Sequence, residues 1–326
     1  MNKPRLGFLG VGWIGRSRME AILTTGALEA AAVADPSGEC VQAALALAPG
    51  AAVVGGLDEM LGLDLDGVVI ATPSALHAEQ SIRALNAGAA VFCQKPLGRT
   101  AAEVGAVVGA ARRADRLLCV DLSYRFTTGM AAIAPLVRDG ALGRVHAVDL
   151  VFHNAYGPDK PWFYDPALSG GGCVMDLGVH LVDLALWTLG WPQVERVEAH
   201  LFAGGSPLQP DTCEDFAVAT LTLGDGAVVR LACSWKLQAG REAVIAAEFY
   251  GTHGGAALRN VGGSFYDFSA ERFSGTSSEL LKQPPDDWGG RAAADWARRL
   301  AAGEGFDAEA ERLIDVARVL DRIYLR

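Results

Sequence analysis

With 326 residues, half of them apolar and a fifth charged, the chain fits two globular domains of roughly 100–200 residues rather than a disordered or fibrous polymer. Its formal charge of −10 repels polyanions, so nucleic acid and anionic membrane surfaces are not expected as partners. The most apolar stretch, Cys173 to Trp191, is interrupted by Asp176, His180 and Asp183 and does not read as a membrane span.

The opening residues, MNKPRLGFLGVGWIG, run directly into a strand and a turn, leaving no room for a secretory leader, and a cytoplasmic protein is expected. Six strands are predicted up to residue 122: Arg5–Leu9, Leu28–Ala34, Ala52–Val54, Gly67–Ala71, Ala90–Cys93 and Leu117–Leu122. Amphipathic helices fill the intervals, notably Ile14–Thr25, Ser74–Ala87 and Ala101–Ala114, which is how an α/β parallel sheet covered on both faces reads. Beyond residue 122 longer alternating runs meet at Gly-rich turns, as in Phe216–Leu223, Gly224-Asp225-Gly226 and Ala227–Trp235, and these predict antiparallel hairpins. A helix over Cys173–Leu189 lies among them, and helices Arg291–Ala302 and Ala308–Tyr324 close the chain. The expected division is a dinucleotide-binding Rossmann domain over residues 1–122 and an α+β domain over residues 123–326, with the C-terminal helix a candidate to return to the first domain. The active site is expected between the two.

Gly10-Val11-Gly12-Trp13-Ile14-Gly15 follows the first strand and opens a helix, the context in which a Gly-rich turn binds a dinucleotide. Gly10 suits the tight turn, Gly12 lets backbone approach a pyrophosphate, and Gly15 allows helix and strand to pack closely. Asp35 ends the second strand twenty residues after Gly15, where a carboxylate accepts hydrogen bonds from ribose. Pro36, Ser37 and Gly38 follow it with no arginine to neutralise a 2′-phosphate, so NAD is favoured over NADP. Thr72-Pro73 through His77, and Gln94-Lys95-Pro96, leave the fourth and fifth strands at their carboxyl ends, the edge where open α/β sheets bind ligands. Taken alone, Lys95 is equally well a solvated surface charge.

The helix beginning near Gly170-Gly171-Gly172-Cys173 is apolar almost all round yet holds Asp176, His180 and Asp183. On a regular helix these fall within about 60° of one another, a single polar stripe on a buried element. Such a stripe must face a cleft or a satisfied network. Acid–base catalysis, a structural polar network and a metal site remain open; one histidine and no neighbouring Cys ligand argue against metal, and Asp183, a turn deeper, suits a structural role. The cysteines Cys40, Cys93, Cys119, Cys173, Cys213 and Cys233 are far apart without a C-x-x-C pair, and neither disulfide nor zinc is expected.

In order and spacing, Gly10–Gly15, Thr72-Pro73 with His77, Gln94-Lys95-Pro96, and Gly170-Gly171-Gly172 with Asp176 and His180 resemble the glucose–fructose oxidoreductase, inositol dehydrogenase and MocA family. Phe249-Tyr250-Gly251-Thr252-His253-Gly254 is similar to a hairpin segment of its second domain. The resemblance implies a Rossmann domain followed by an open-faced antiparallel sheet, NAD or NADP as cofactor, and Lys95, Asp176 and His180 as the catalytic set. The chain departs from the usual Glu-Lys-Pro at Gln94, which removes a carboxylate beside Lys95.

The function expected is therefore hydride transfer between NAD and a secondary carbinol of a sugar, cyclitol or related polyol. His180 would be the base, Asp176 its supporting carboxylate and Lys95 the stabiliser of alkoxide charge. Gly10, Gly12, Trp13, Ile14, Gly15, Asp35, Thr72, Pro73, His77, Gln94 and Lys95 are the candidate cofactor residues, and Tyr124, Arg125, His153, Trp162 and Tyr164 the candidate substrate residues. Two alternatives stay open: a glycosidase-like enzyme that oxidises its substrate transiently with retained NAD, and a non-catalytic protein responsive to NAD or sugar. Val218 and Val229 are expected on a free sheet face through which a dimer or tetramer forms.

Overall fold

The structure, a computed structural model, describes residues 3–325. The chain divides into two compact units. One comprises the chain up to Asp121 together with Gly290–Asp315; the other comprises Leu122–Gly289 and the chain from Val316 onward.

In the first unit β1 (Arg5–Leu9), β2 (Glu29–Ala34), β3 (Ala52–Val53), β4 (Gly67–Ile70), β5 (Ala90–Cys93) and β6 (Leu118–Val120) form a parallel sheet in the order β3-β2-β1-β4-β5-β6. This is the dinucleotide-binding order, in which the direction of winding reverses between β1 and β4. Both β4 and β5 are buried at every position, as strands sandwiched between two helical layers must be. The connections are α1 (Trp13–Thr24), α2 (Gly38–Leu47), α3 (Leu57–Leu61), α4 (Ser74–Asn86) and α5 (Ala101–Ala114). Ser37 and Thr100 cap α2 and α5 by accepting hydrogen bonds from the Cys40 and Glu103 N–H groups.

The expected domain division at residue 122 is corrected in one place. Helix Arg291–Ala301 belongs to the first unit, where the buried Trp296 ring lies 5.7 Å from that of Phe92 on β5. A Cβ at Gly67 would meet Trp296 and Leu300, so the helix and β4 are fitted to each other. The returning segment is thus the penultimate helix. The last one, Arg312–Ile323, runs from the first unit into the core of the second, where Val316, Val319, Leu320 and Ile323 are buried.

In the second unit the strands are β7 (Val145–Asn154), β8 (Val194–Ala203), β9 (Ser206–Pro207), β10 (Phe216–Leu223), β11 (Val228–Ser234), β12 (Ala243–Gly251), β13 (Gly255–Asn260), β14 (Phe268–Ser274) and β15 (Ser277–Lys282). They form one sheet in the order β15-β14-β13-β12-β7-β11-β10-β8-β9, antiparallel except where β11 runs parallel to β7. Helices α6 (Thr128–Arg138), α7 (Pro166–Ser169) and α8 (Val179–Thr188) lie between strands in the chain, and α6 and α8 pack on one face of the sheet. That face is built from alternate residues such as Val148, Leu150 and Phe152 of β7 and Ala217, Ala219 and Leu221 of β10. Val229 is among them. It is fully buried opposite Leu221, which corrects its expected outward position; a strand's period of two leaves Val228 and Arg230 on the other face. Val218, Ala232, Val151 and Ala246 form an outward row across β10, β11, β7 and β12. Among the described residues no helix is long and apolar enough to cross a membrane.

Candidate functional site

The glycine turn between β1 and α1 has the shape its residues require. Gly10 has φ +84° and no room for a Cβ against the Ala71 carbonyl, while a Cβ at Gly15 would strike the Gly10 carbonyl. Gly12 differs: a Cβ there would meet nothing within 4 Å, so the space above the turn is open to a ligand. Asp35 closes the site at the end of β2, accepting hydrogen bonds from Val11 N–H at 2.8 Å and Ser37 N–H at 2.9 Å. A tight turn, an open backbone at a helix N-terminus and a fixed carboxylate beside it together fit the phosphates and adenosine ribose of a dinucleotide. Trp13 is largely exposed at the first turn of α1, followed by Ile14.

On the other half of that sheet, Thr72 and Pro73 lead into α4, and the Thr72 hydroxyl donates to Gln80 Oε1 at 2.6 Å. His77 is buried, with Nε2 2.7 Å from the Thr72 carbonyl and Nδ1 2.7 Å from the Pro96 carbonyl. Both ring nitrogens therefore face protein oxygens, and the ring ties the β4 turn to the Lys95-Pro96 turn instead of offering a nitrogen to a cofactor. Gln94 is also buried, its Nε2 donating to Asp121 Oδ2 at 2.6 Å; the same oxygen accepts from Arg18 Nε at 2.6 Å. Lys95 is half-buried at the adjacent position.

In the second unit the expected single helix is two segments. Val174–Gly178 is a π-helical turn, and α8 follows from Val179. The three residues of the expected stripe meet different partners. Asp176 is half-buried and its Oδ2 accepts from the Trp235 indole N–H at 3.0 Å. His180 is buried, its ring edge-on to Tyr124 with centroids 4.9 Å apart. Asp183 is buried and paired with Arg125, whose Nε donates to Oδ2 at 2.7 Å and whose second N–H reaches Oδ1.

The substrate candidates divide accordingly. Trp162 stacks on Phe163 at 3.8 Å, and Phe163 and Tyr164 meet the Trp235 ring edge-on, so these aromatics form a ledge next to Asp176. Tyr124 is buried among Phe152, Phe268, Trp288 and His180, and burial pushes its phenol well above the ordinary value. Arg125 is tied to Asp183 and lies over Trp187 and Trp191, a structural setting. His153 points from β7 to the sheet face away from α8, where its Nδ1 meets the Ser234 hydroxyl at 2.8 Å and its ring stacks on Phe216. Burial lowers the His153 pKa. The structure thus gathers Trp162 and Tyr164 near Asp176 and separates His153 from them.

Sequence reasoning missed what holds the π turn. Glu214, fully buried, accepts hydrogen bonds from Gly172 N–H at 3.0 Å, Val174 N–H at 2.8 Å and the Tyr324 hydroxyl at 2.7 Å. It places a carboxylate at the positive end of the segment leading into α8. Burial pushes this carboxyl up, opposed by the Tyr324 hydroxyl and by the backbone donors. A Cβ at Gly172 would collide with the Glu214 backbone, so this third glycine of the run cannot be replaced without moving Glu214. Nothing in the local sequence marks Glu214, Tyr324 or Trp235, because each acts on a segment far away in the chain. Among the described residues no group of three or more His, Cys, Asp or Glu is arranged to hold a metal.

Residues 5–122 match a family described as an oxidoreductase family with an NAD-binding Rossmann fold, and residues 130–257 match the GFO/IDH/MocA C-terminal domain. The chain belongs to the Gfo/Idh/MocA oxidoreductase family. D-glucoside 3-dehydrogenase of Escherichia coli is 27% identical over 259 residues, covering 76% of this chain and 70% of that one. A putative UDP-kanosamine synthase oxidoreductase subunit of Amycolatopsis mediterranei is 30% identical over 275 residues, covering 78% and 75%. GenD2 from gentamicin A biosynthesis, solved in complex with NAD, is similar to the whole of this chain, with a TM-score of 0.84 and 25% identity over 94% of its own length. As a family member the chain is an oxidoreductase with an NAD-binding domain, and the open backbone at Gly12 with the fixed Asp35 carboxylate fits that cofactor.

Proposed function

We propose that this Gfo/Idh/MocA protein is a dehydrogenase or reductase acting on a secondary carbinol of a sugar, cyclitol or related polyol, with NAD preferred over NADP. The observation that carries the reading is Asp176, an acid held at the π turn just before His180 by the Trp235 indole, whose ring meets Phe163 and Tyr164. Aromatic faces suit the C–H faces of a sugar ring, and a carboxylate suits its hydroxyls. Relatives named as acting on glucosides and inositol support the substrate class.

NAD, when bound, supplies the two-electron acceptor. In the oxidative direction a His180 ring nitrogen takes the carbinol proton, and Asp176 stabilises the imidazolium that results. Lys95 supplies positive charge to the carbinol oxygen as its proton leaves. Asp35 holds the adenosine ribose and repels a 2′-phosphate, and Gly10, Gly12 and Gly15 receive the pyrophosphate. Assembly as a dimer or tetramer through the outward face of the second unit's sheet is part of the proposal, supported by the apolar row Val218, Ala232, Val151 and Ala246.

The test is a screen of aldoses, glucosides, inositols and polyols for NADH formation, with keto-sugars for the reverse reaction. On the best substrate, His180→Ala lowers turnover by about 10²–10⁴-fold with NAD affinity retained. Asp176→Asn lowers it too, and the double variant loses much less than the product of the single losses, because groups that act as a unit are non-additive. Near-normal turnover in His180→Ala places the base elsewhere; no turnover on any hydroxylated or keto substrate ends the reading.

A further inference from the structure

Gln94, Arg18 and Asp121 form a buried trio that no glycine or lysine motif requires. Arg18 comes from α1, Gln94 directly follows β5, and Asp121 directly follows β6. All three are at least nine-tenths buried, with exposures of 7%, 8% and 2%. The Gln94 amide nitrogen and the Arg18 guanidinium share one Asp121 oxygen at 2.6 Å each. The backbone fixes the positions from which they reach, since Gln94 N–H bonds to the Ile70 carbonyl and Asp121 N–H to the Cys93 carbonyl, both at sheet distances.

An ionised carboxylate accepts hydrogen bonds and cannot donate them. It therefore selects one of the two orientations of the Gln94 amide: nitrogen toward Asp121, carbonyl oxygen away from it. Arg18 balances the buried charge, without which Asp121 would be an uncompensated ion. The consequence falls at the carboxyl end of β5. In this fold each half of the sheet serves one half of a dinucleotide. Asp35, on β2, marks the adenosine half, so the β4–β6 half with Gln94 and Lys95 serves the nicotinamide half.

We propose that Asp121, paired with Arg18, is a positioning residue for the cofactor: it locks Gln94 so that position 94 presents an uncharged carbonyl acceptor to the carboxamide N–H donors of nicotinamide. The charge that a glutamate at 94 would carry sits one strand over, on Asp121. A glutamate at 94 beside Asp121 would replace a donor with a second carboxylate, leaving two negative groups to share one guanidinium. Moving the charge instead, with glutamate at 94 and asparagine at 121, restores a donor–acceptor pair and keeps a single carboxylate beside Arg18.

The inference rests on the NAD site and not on the carbinol reading, so its test needs no substrate. NADH and ADP-ribose binding to the full-length protein are measured by calorimetry in alkaline buffer, where a shared proton cannot stand in for the amide. Gln94→Glu is expected to weaken NADH by about 10-fold or more while ADP-ribose, which lacks nicotinamide, stays within about 3-fold. The double variant Gln94→Glu/Asp121→Asn is expected to recover NADH to within about 3-fold of the parent. Gln94→Met, which keeps the Arg18–Asp121 pair and the side-chain volume, provides a second arm: it should lose NADH affinity but not ADP-ribose affinity. NADH affinity unchanged in Gln94→Glu, equal loss for both ligands, or a double variant no better than Gln94→Glu overturns the proposal.

Discussion

Glu214 offers a quantitative test of how the second unit holds its functional segment. Its Oε1 accepts from Val174 N–H, Gly172 N–H and the Tyr324 hydroxyl, whereas Oε2 accepts only from Gly172 N–H. Glu214→Ala leaves three buried donors without their acceptor, each costing about 1–3 kcal/mol. Allowing for water entering the vacated space, a loss of about 3–5 kcal/mol follows, a large part of the ~5–15 kcal/mol that holds a domain folded. Glu214→Gln is different. Its amide oxygen can occupy the Oε1 position and serve all three donors, and only the shared contact to Gly172 and the charge at the helix start are lost, about 1–2 kcal/mol. Urea unfolding followed by tryptophan fluorescence reads the stability, and turnover reads the positions of Asp176 and His180. Turnover should fall in Glu214→Ala and largely survive in Glu214→Gln. An alanine variant within about 1 kcal/mol of the parent, or a glutamine variant as unstable as alanine, refutes the argument.

Asp35→Ala should weaken NAD by about 5–30-fold and narrow the preference over NADP, checked by calorimetry with both cofactors; tighter NADP binding by the parent protein contradicts the role given to this carboxylate. Trp235→Phe removes the donor to Asp176 while keeping most of the ring, so turnover should drop about 10-fold with little change in NAD affinity, and an unchanged rate would show that the indole N–H is dispensable. Burial holds the His153 pKa below its ordinary 6.5. Below that value the unfolded chain therefore binds more protons than the folded one, and stability falls as pH drops through the window beneath 6.5. His153→Asn should flatten that slope in urea midpoints taken on either side of 6.5, and an unaltered slope would assign it to other groups. Light scattering at micromolar protein should give a dimer or tetramer, whose mass falls when Val151 and Val218 are both changed to Asp; a strictly monomeric parent rules out the sheet-face assembly.

The first unit was legible because its signals are local. A strand, a Gly-x-Gly-x-x-Gly turn and a helix follow one another within Arg5–Thr24, and the twenty-residue step from Gly15 to Asp35 spans the rest of one helix and the next strand. The motif residues lie in the turns where they were expected. Their side-chain duties are less legible: His77, a cofactor candidate, has both ring nitrogens on backbone carbonyls, and the Gln94 amide donates to Asp121, which also accepts from Arg18. A hydrogen bond across more than twenty residues has no periodicity to betray it. The same limit explains Arg291–Ala301, whose amphipathic pattern established a buried face but not the sheet that receives it.

The Asp176, His180, Asp183 spacing shows what periodicity leaves out. Val174–Gly178 is a π-helical turn, which a regular 3.6-residue period does not anticipate. The physical cause lies outside the helix: Glu214 fixes the Gly172 and Val174 N–H groups from one side, and the Trp235 indole takes the Asp176 carboxylate from another. Asp183 and Arg125 then anchor the regular part of α8, with the guanidinium over two indole rings. The residues that looked like one stripe therefore have unequal tasks. Asp183, itself buried, is neutralised by Arg125, His180 lies against Tyr124, and Asp176 is held by the Trp235 indole.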